Sequence, residues 1–193
     1  MKERPILMTP ENAQKCFQGI KTQTRRIVKD QTIDPNGIYA HRPGDLLLCP
    51  YGVVGDRLWI REAWAAYSGG VTIEGEEYDL IEGPIDINEI SPPVVVYRGA
   101  GDSFPERWRP AMHMYRWACR TVVEITEIRV QRLKDEMTEE DAIAEGCTGG
   151  YVEGACSVTP RGEFALLWMS INGADSWDAN PWVWAITFKK VEL

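Results

Sequence analysis

The chain has few of the residues from which metal sites and disulfide frameworks are built. Its 193 residues include two histidines, His41 and His113, and five cysteines, with no Cys-x-x-Cys pair among them. An odd number of cysteines without ligand spacing is typical of reduced, mostly structural thiols in a cytoplasmic protein. No spacing indicates a zinc site, so we expect neither a metal nor another cofactor.

Long apolar runs and positive charge are also scarce. No stretch reaches the ~20 apolar residues that a spanning helix needs, so we expect no signal peptide and no membrane anchor. The formal net charge is −8, whereas tight nonspecific binding to DNA depends on an excess of positive charge. This balance argues against a general nucleic-acid coating role and is compatible with a small neutral ligand such as a nucleoside.

What is present fits one globular domain. The hydrophobic fraction is 44% and the charged fraction 26%, and the length suits a single domain with insertions. Eight tryptophans are many for such a chain. Aromatic-rich chains often bind flat ligands, but we expect most of these tryptophans to lie in the core.

Periodicity and capping residues predict strands with a few interposed helices. One helix is expected from Pro10 to about Gln18, stopped by Gly19, and another from Thr138 to Gly146. Further predictions are a helix over 160–171 and strands over 5–8, 58–64, 94–98, 119–133 and 181–188. This order favours an α+β protein with a small β-barrel over a doubly wound sheet.

The segment from Gly19 to Arg26, Gly-Ile-Lys-Thr-Gln-Thr-Arg-Arg, concentrates three cations and two hydroxyls. On spacing alone, a solvated basic turn is the simpler interpretation. The alternative is chemical: a neutral lysine is a general base, and a threonine hydroxyl beside a base becomes a nucleophile. Lys21 and Thr24 would align as an i, i+3 pair only if the segment turns helically, so the catalytic interpretation predicts a turn there.

The pattern Gly-x-Lys-x-x-Thr-x-Arg in this segment resembles the signature of the ASCH domain family, small PUA-like β-barrels that handle RNA or modified nucleosides. It is most similar to that of the bacterial N4-acetylcytidine amidohydrolases. Residues 55–62 and 108–114 resemble stretches of larger ASCH proteins from phage and prophage. The resemblance implies a single PUA-like barrel domain over 1–193, with flanking helices, an insertion containing a hairpin at about 65–93, and a C-terminal helix–strand extension.

The resemblance also implies an amidohydrolase and its catalytic residues. Lys21 corresponds to the base, and Thr24 to the nucleophile that attacks the acetyl carbonyl. Glu145 lies where the family has its glutamate, near the end of a short helix, with Glu139 and Glu140 as rivals for that role.

Candidate substrate-binding residues come from the same motif and from two other places. Within the motif they are Gly19, Arg25 and Arg26, and outside it Glu62, Trp64 and Trp117. Glu62 shares a predicted strand face with Leu58, Ile60 and Trp64, where it would either bind the polar edge of a base or pair with an arginine such as Arg61 at the surface. Trp64 or Trp117 would then stack on the base.

Three functions from different classes follow. The first is hydrolysis of the acyl group of N4-acetylcytidine or a related nucleoside. The second is a noncatalytic PUA-like module that binds RNA or a modified base, and the third is a metal-dependent ribonuclease. In each case the partner is a small modified nucleoside or a short RNA, with no tight nonspecific DNA binding and no membrane.

Overall fold

The computed structural model of the chain describes residues 1–29, 49–67, 94–101, 107–151 and 157–192. Most of the predicted insertion, including its hairpin, and much of the loop that precedes residue 55 lie outside these ranges. No helix within them is both long and apolar enough to cross a membrane.

The helices follow the capping residues. Among the described residues there are three α-helices, α1 (Pro10–Phe17), α2 (Glu139–Ala144) and α3 (Pro160–Asn172). Each begins after a threonine whose hydroxyl accepts a backbone N–H from the first turn. Gly19 follows α1 with φ +75°, a left-handed conformation that glycine adopts without steric cost. The three predicted helices are therefore confirmed.

Five strands form the main sheet. In spatial order they are β1 (Glu3–Leu7), β3 (Arg57–Arg61), β6 (Val122–Arg132), β9 (Trp182–Val191) and β2 (Gln23–Ile27). The β1–β3 pair is parallel and the other three pairs are antiparallel. Two small antiparallel pairs accompany the sheet, β4 (Trp64–Tyr67) with β5 (Val94–Tyr97) and β7 (Gly150–Tyr151) with β8 (Ser157–Val158).

The predicted single strand over 58–64 is wrong. Strand β3 ends at Arg61, and β4 begins at Trp64 in a different sheet. The break falls where the buried Glu62 side chain turns inward to pair with the partly buried Arg120. The first residues of the predicted insertion, 65–67, belong to β4 and are buried, so these three residues continue the sheet structure.

The α+β class is confirmed, whereas the barrel stays a prediction. Within the described ranges the sheet is open, with β1 and β2 at its edges. The two edges nevertheless come within side-chain reach, since Arg26 of β2 donates from Nη2 to the Leu7 carbonyl of β1 at 2.6 Å. The main core lies between α1 and the sheet, where the buried side chains include Ala13, Cys16, Leu58, Ile60, Ile125 and Ile186.

The tryptophans are mainly structural, as predicted. Four of the eight are buried, namely Trp64, Trp168, Trp182 and Trp184, and the other four are half-buried. Trp182 and Trp184 belong to the main core, and Trp168 belongs to a smaller cluster that α3 forms with β9.

Candidate functional site

Two buried cations and two carboxylates meet where the start of β2 faces α2. Nζ of Lys21 contacts Oε2 of Glu145 and donates to the Glu145 carbonyl at 2.9 Å. Nη1 of Arg25 is 3.0 Å from Oε1 of Glu145, and its Nη2 is 2.9 Å from Oδ2 of Asp141. The four side chains are at most 11% exposed, and their charges cancel, as burial of ions requires.

Backbone hydrogen bonds place Lys21 in this network. After Gly19 the chain turns back on α1, and the Lys21 N–H donates to the Lys15 carbonyl at 3.1 Å. The Thr22 N–H then donates to the Ala144 carbonyl at 2.8 Å, which attaches the segment to the end of α2. The carbonyl end of a helix attracts cations, so the position suits the lysine ammonium.

A pocket of about 90 Å³ opens beside this network and is named here the Thr24 pocket. Its walls include five of the residues implicated by the sequence, Lys21, Thr24, Arg25, Arg26 and Glu145. Other parts of the wall come from α3, which contributes Phe164, Leu167, Trp168 and Ile171.

The predicted turn through Lys21 and Thr24 is wrong. Strand β2 begins at Gln23, and Thr24 pairs with Ile186 of β9. Lys21 precedes the strand, so the two residues reach one pocket without helical i, i+3 geometry. The ladder hydrogen bonds between β2 and β9 keep the backbone of Thr24 extended.

Of the three glutamates that the sequence offered for the site, Glu145 is the one that lines the Thr24 pocket. Glu139 accepts the Arg161 N–H at 2.9 Å, and Glu140 is exposed. Sequence reasoning missed Asp141, which lies one helical turn before Glu145 and shares its face of α2. That i, i+4 spacing was the signal that would have found it.

Burial and nearby charges shift the pKa values of Asp141 and of the neighbouring Cys16. Burial opposes ionisation of Asp141, but Arg25, the Thr138 N–H and Arg129 together hold the pKa of its carboxyl below the ordinary value. Asp141 is therefore a counter-charge for Nη2 of Arg25, whereas Glu145 contacts both Lys21 and Nη1 of Arg25. Close by, burial raises the pKa of the Cys16 thiol to about 12, so this thiol stays protonated and is no nucleophile.

Glu62 has a different partner from the one considered in the sequence. It is 1% exposed and forms a bidentate pair with Arg120, with Nε–Oε1 2.9 Å and Nη2–Oε2 2.8 Å. The surface pair with Arg61 is therefore wrong. The Arg120 guanidinium lies 4.6 Å from the Phe17 ring centroid and 4.2 Å from that of Tyr97, so this pair ties α1 to the end of β3.

The remaining predicted residues do not line the Thr24 pocket. Gly19 serves to end α1. Trp64 is 0% exposed and makes edge contacts with Tyr115 and Trp117 at 5.9 and 5.7 Å, so its ring is part of the core. Trp117 is half-buried and stacks parallel to Tyr115 at 6.1 Å.

Two further findings bear on function. Across the described ranges, no group of three or more His, Cys, Asp or Glu side chains is arranged to hold a metal ion. No family model, curated protein or solved structure matches the chain. The resemblance to the ASCH family therefore rests on the motif and on the stretches 55–62 and 108–114 alone.

Proposed function

We propose that the protein is an amidohydrolase that removes the acetyl group from N4-acetylcytidine or a related modified nucleoside, built on a PUA-like barrel of the ASCH type. One observation carries the proposal: the three residues implicated by the motif, Lys21, Thr24 and Glu145, line a single pocket. The pocket, about 90 Å³, is well below the roughly 300–1,000 Å³ of sites that enclose a whole ligand. It therefore suits the acetyl group, with the base outside against α3.

The proposed chemistry is acyl transfer to threonine followed by hydrolysis. The Thr24 Oγ1 forms a bond to the acetyl carbon while its proton passes to Lys21 Nζ. The tetrahedral intermediate then expels the N4 amine, which receives the proton from Lys21, and cytidine leaves. Water attacks the remaining ester, and acetate and free Thr24 are formed. The Arg26 guanidinium, on the pocket wall, is suited to stabilise the oxyanion.

The contact between Lys21 and Glu145 supplies a route to the neutral amine that this chemistry needs. Transfer of the lysine proton to the Glu145 carboxylate leaves an uncharged Nζ that can accept the threonine proton. Arg25 bonds the other oxygen of Glu145 at 3.0 Å and holds the carboxylate in place throughout.

The same contact favours the second candidate, a noncatalytic module that binds a modified base. Nζ of Lys21 is already engaged by the carboxylate and the carbonyl of Glu145, an arrangement that requires no proton transfer. In that function Lys21 and Arg26 would donate hydrogen bonds to a base in the pocket, and no group would be transferred.

Hydrolysis of N4-acetylcytidine, followed by chromatography of released cytidine, separates the two. We expect release by the wild type, a loss of at least about a hundredfold in Thr24→Val, and partial activity in Thr24→Ser, which keeps a hydroxyl. Lys21→Met should be inactive while remaining folded by circular dichroism. The matched control is Thr22→Val, because Thr22 carries the neighbouring hydroxyl but does not line the pocket.

Three results would contradict the proposed threonine-dependent hydrolase. Wild-type protein that binds N4-acetylcytidine but releases no cytidine would favour the binding module. Full activity in Thr24→Val would show that the nucleophile is another group. Activity abolished by a chelator and restored by a divalent cation would instead indicate the metal-dependent chemistry of the third hypothesis.

A further inference from the structure

A second cleft adjoins the Thr24 pocket. It measures about 450 Å³ and lies between the edge strands β1 and β2, with walls formed by Pro5, Ile6, Leu7, Arg26, Tyr51 and Arg61. It is named here the Arg26–Arg61 cleft. We propose that this cleft binds the phosphate of a phosphorylated nucleoside, so that the ligand of the adjoining pocket is a nucleotide. The inference rests on the proposed nucleoside chemistry of that pocket.

The two arginines of the cleft differ from the other arginines near the site in their partners. Arg26 donates from Nη2 to the Leu7 carbonyl and to Met8 Sδ, at 2.6 and 3.4 Å. Arg61 donates from Nη2 to the carbonyls of Met112 and Met114. Within the described chain neither arginine forms an ion pair, so only neutral groups face their charges.

The arginines that stand outside the cleft make the contrast clear. Arg25 and Arg120 are paired with buried carboxylates, and Arg4 is 2.7 Å from Asp56. A guanidinium solvated only by carbonyl oxygens keeps its full attraction for an anion, because no carboxylate must be displaced. The cleft therefore presents two cations, Arg26 and Arg61, that face no carboxylate within the described part of the chain.

Both guanidiniums retain donors for a ligand. Their hydrogen bonds use Nη2, and a guanidinium carries five N–H donors in a fork that matches phosphate oxygens. The Arg61 guanidinium lies 5.1 Å from the Trp59 ring centroid, which restricts its plane. Tyr51 adds an aromatic ring and a hydroxyl to the same wall.

Arg26 joins the two sites because it lines both the cleft and the Thr24 pocket. A ligand with its acyl group beside Thr24 can thus reach the cleft with another part of the same molecule. Two cations match the charge of about −1.5 to −2 on one phosphate monoester near neutral pH. The net charge of −8 on the chain opposes a long polyanion, which favours a mononucleotide over RNA.

Titration calorimetry with cytidine, cytidine 5′-monophosphate and cytidine 3′-monophosphate tests the assignment without requiring turnover. We expect one monophosphate to bind the wild type at least about tenfold more tightly than cytidine, as a charge-assisted pair provides. Arg61→Gln and Arg26→Gln should each remove most of that preference. The matched control is Arg116→Gln, which deletes the same charge from an exposed pair with Glu3 and should keep the preference.

Equal binding of cytidine and both monophosphates would overturn the assignment, as would a preference that survives in both Arg61→Gln and Arg26→Gln. Tighter binding of a hydroxyl-ended cytidine oligonucleotide than of either monophosphate would replace the mononucleotide by RNA. Failure of the hydrolase is separately visible, because a phosphate preference without cytidine release leaves the cleft assignment in place. Cytidine release without a phosphate preference would overturn the cleft assignment alone.

Discussion

The substitution Glu145→Gln is expected to lower the free energy of unfolding by about 3–5 kcal/mol, the cost of breaking a buried ion pair. The Glu145 side chain is 3% exposed, and its two oxygens face Lys21 and Arg25. The amide leaves two buried cations with Asp141 as the remaining buried carboxylate. Glutamine has nearly the shape of glutamate, so the loss reports charge rather than packing.

A double-mutant cycle isolates this effect. Lys21→Met alone leaves an excess negative charge, whereas Lys21→Met with Glu145→Gln leaves Arg25 and Asp141 balanced. We therefore expect the double variant to be more stable than the sum of the two losses by about 2–3 kcal/mol. The matched exposed pair, Lys189 with Glu124, has a 3.0 Å contact and side chains 63% and 28% exposed. Its coupling should be only about 0.2–1 kcal/mol.

Urea unfolding near neutral pH, followed by tryptophan fluorescence, measures all of these variants. The m-value should not change, because the surface exposed on unfolding is the same. A loss below about 1 kcal/mol in Glu145→Gln, together with a coupling no larger than that of the exposed pair, would refute the reasoning. It would mean that water reaches these charges in the folded protein.

Two further predictions concern titratable groups. The Lys2 N–H and Arg4, each 2.7 Å from Asp56, lower the pKa of that carboxyl from 3.8 to about 2. The contribution of this carboxylate to the free energy of unfolding is thus complete above pH 3.8 and is lost as the pH falls through about 2. Asp56→Asn should remove this pH-dependent contribution. Unfolding free energies of wild type and variant that fall in parallel as the pH is lowered would contradict the prediction. Burial raises the pKa of Cys16 to about 12 and of Cys147 to about 11. Iodoacetamide at about pH 8 should therefore modify Cys16 and Cys147 only after the protein is unfolded in urea. Peptide mass spectrometry measures this, and modification of either cysteine in the folded protein would contradict the prediction.

Several elements could be predicted from the sequence because their causes are local. Thr9 and Thr138 begin helices since a capping bond joins residues three apart. The alternation of Leu58, Ile60 and Glu62 predicted that they share one strand face, and the structure shows that this face is buried, with each side chain at most 1% exposed. The same local logic failed just beyond, since nothing in the pattern marks the end of β3 at Arg61.

The motif also located the residues of the candidate site, but it did not determine their arrangement. It singled out Lys21 and Thr24 together, and both line one pocket. The motif suggested a turn through Lys21 and Thr24, whereas Thr24 lies in an extended strand. Pairing of β2 with β9 outweighs the local conformational preference of these residues.

By itself, therefore, the sequence determined the helices, most of the strands and the identity of the motif residues, all of which depend on spacings of a few positions. Only the tertiary structure decided which charges meet. Lys21 and Glu145 are 124 residues apart, and Glu62 and Arg120 are 58 apart. The first pair forms where the segment before β2 meets the end of α2, and the second where β3 and β6 lie side by side. The geometry of both pairs therefore depends on long-range packing that no local pattern records.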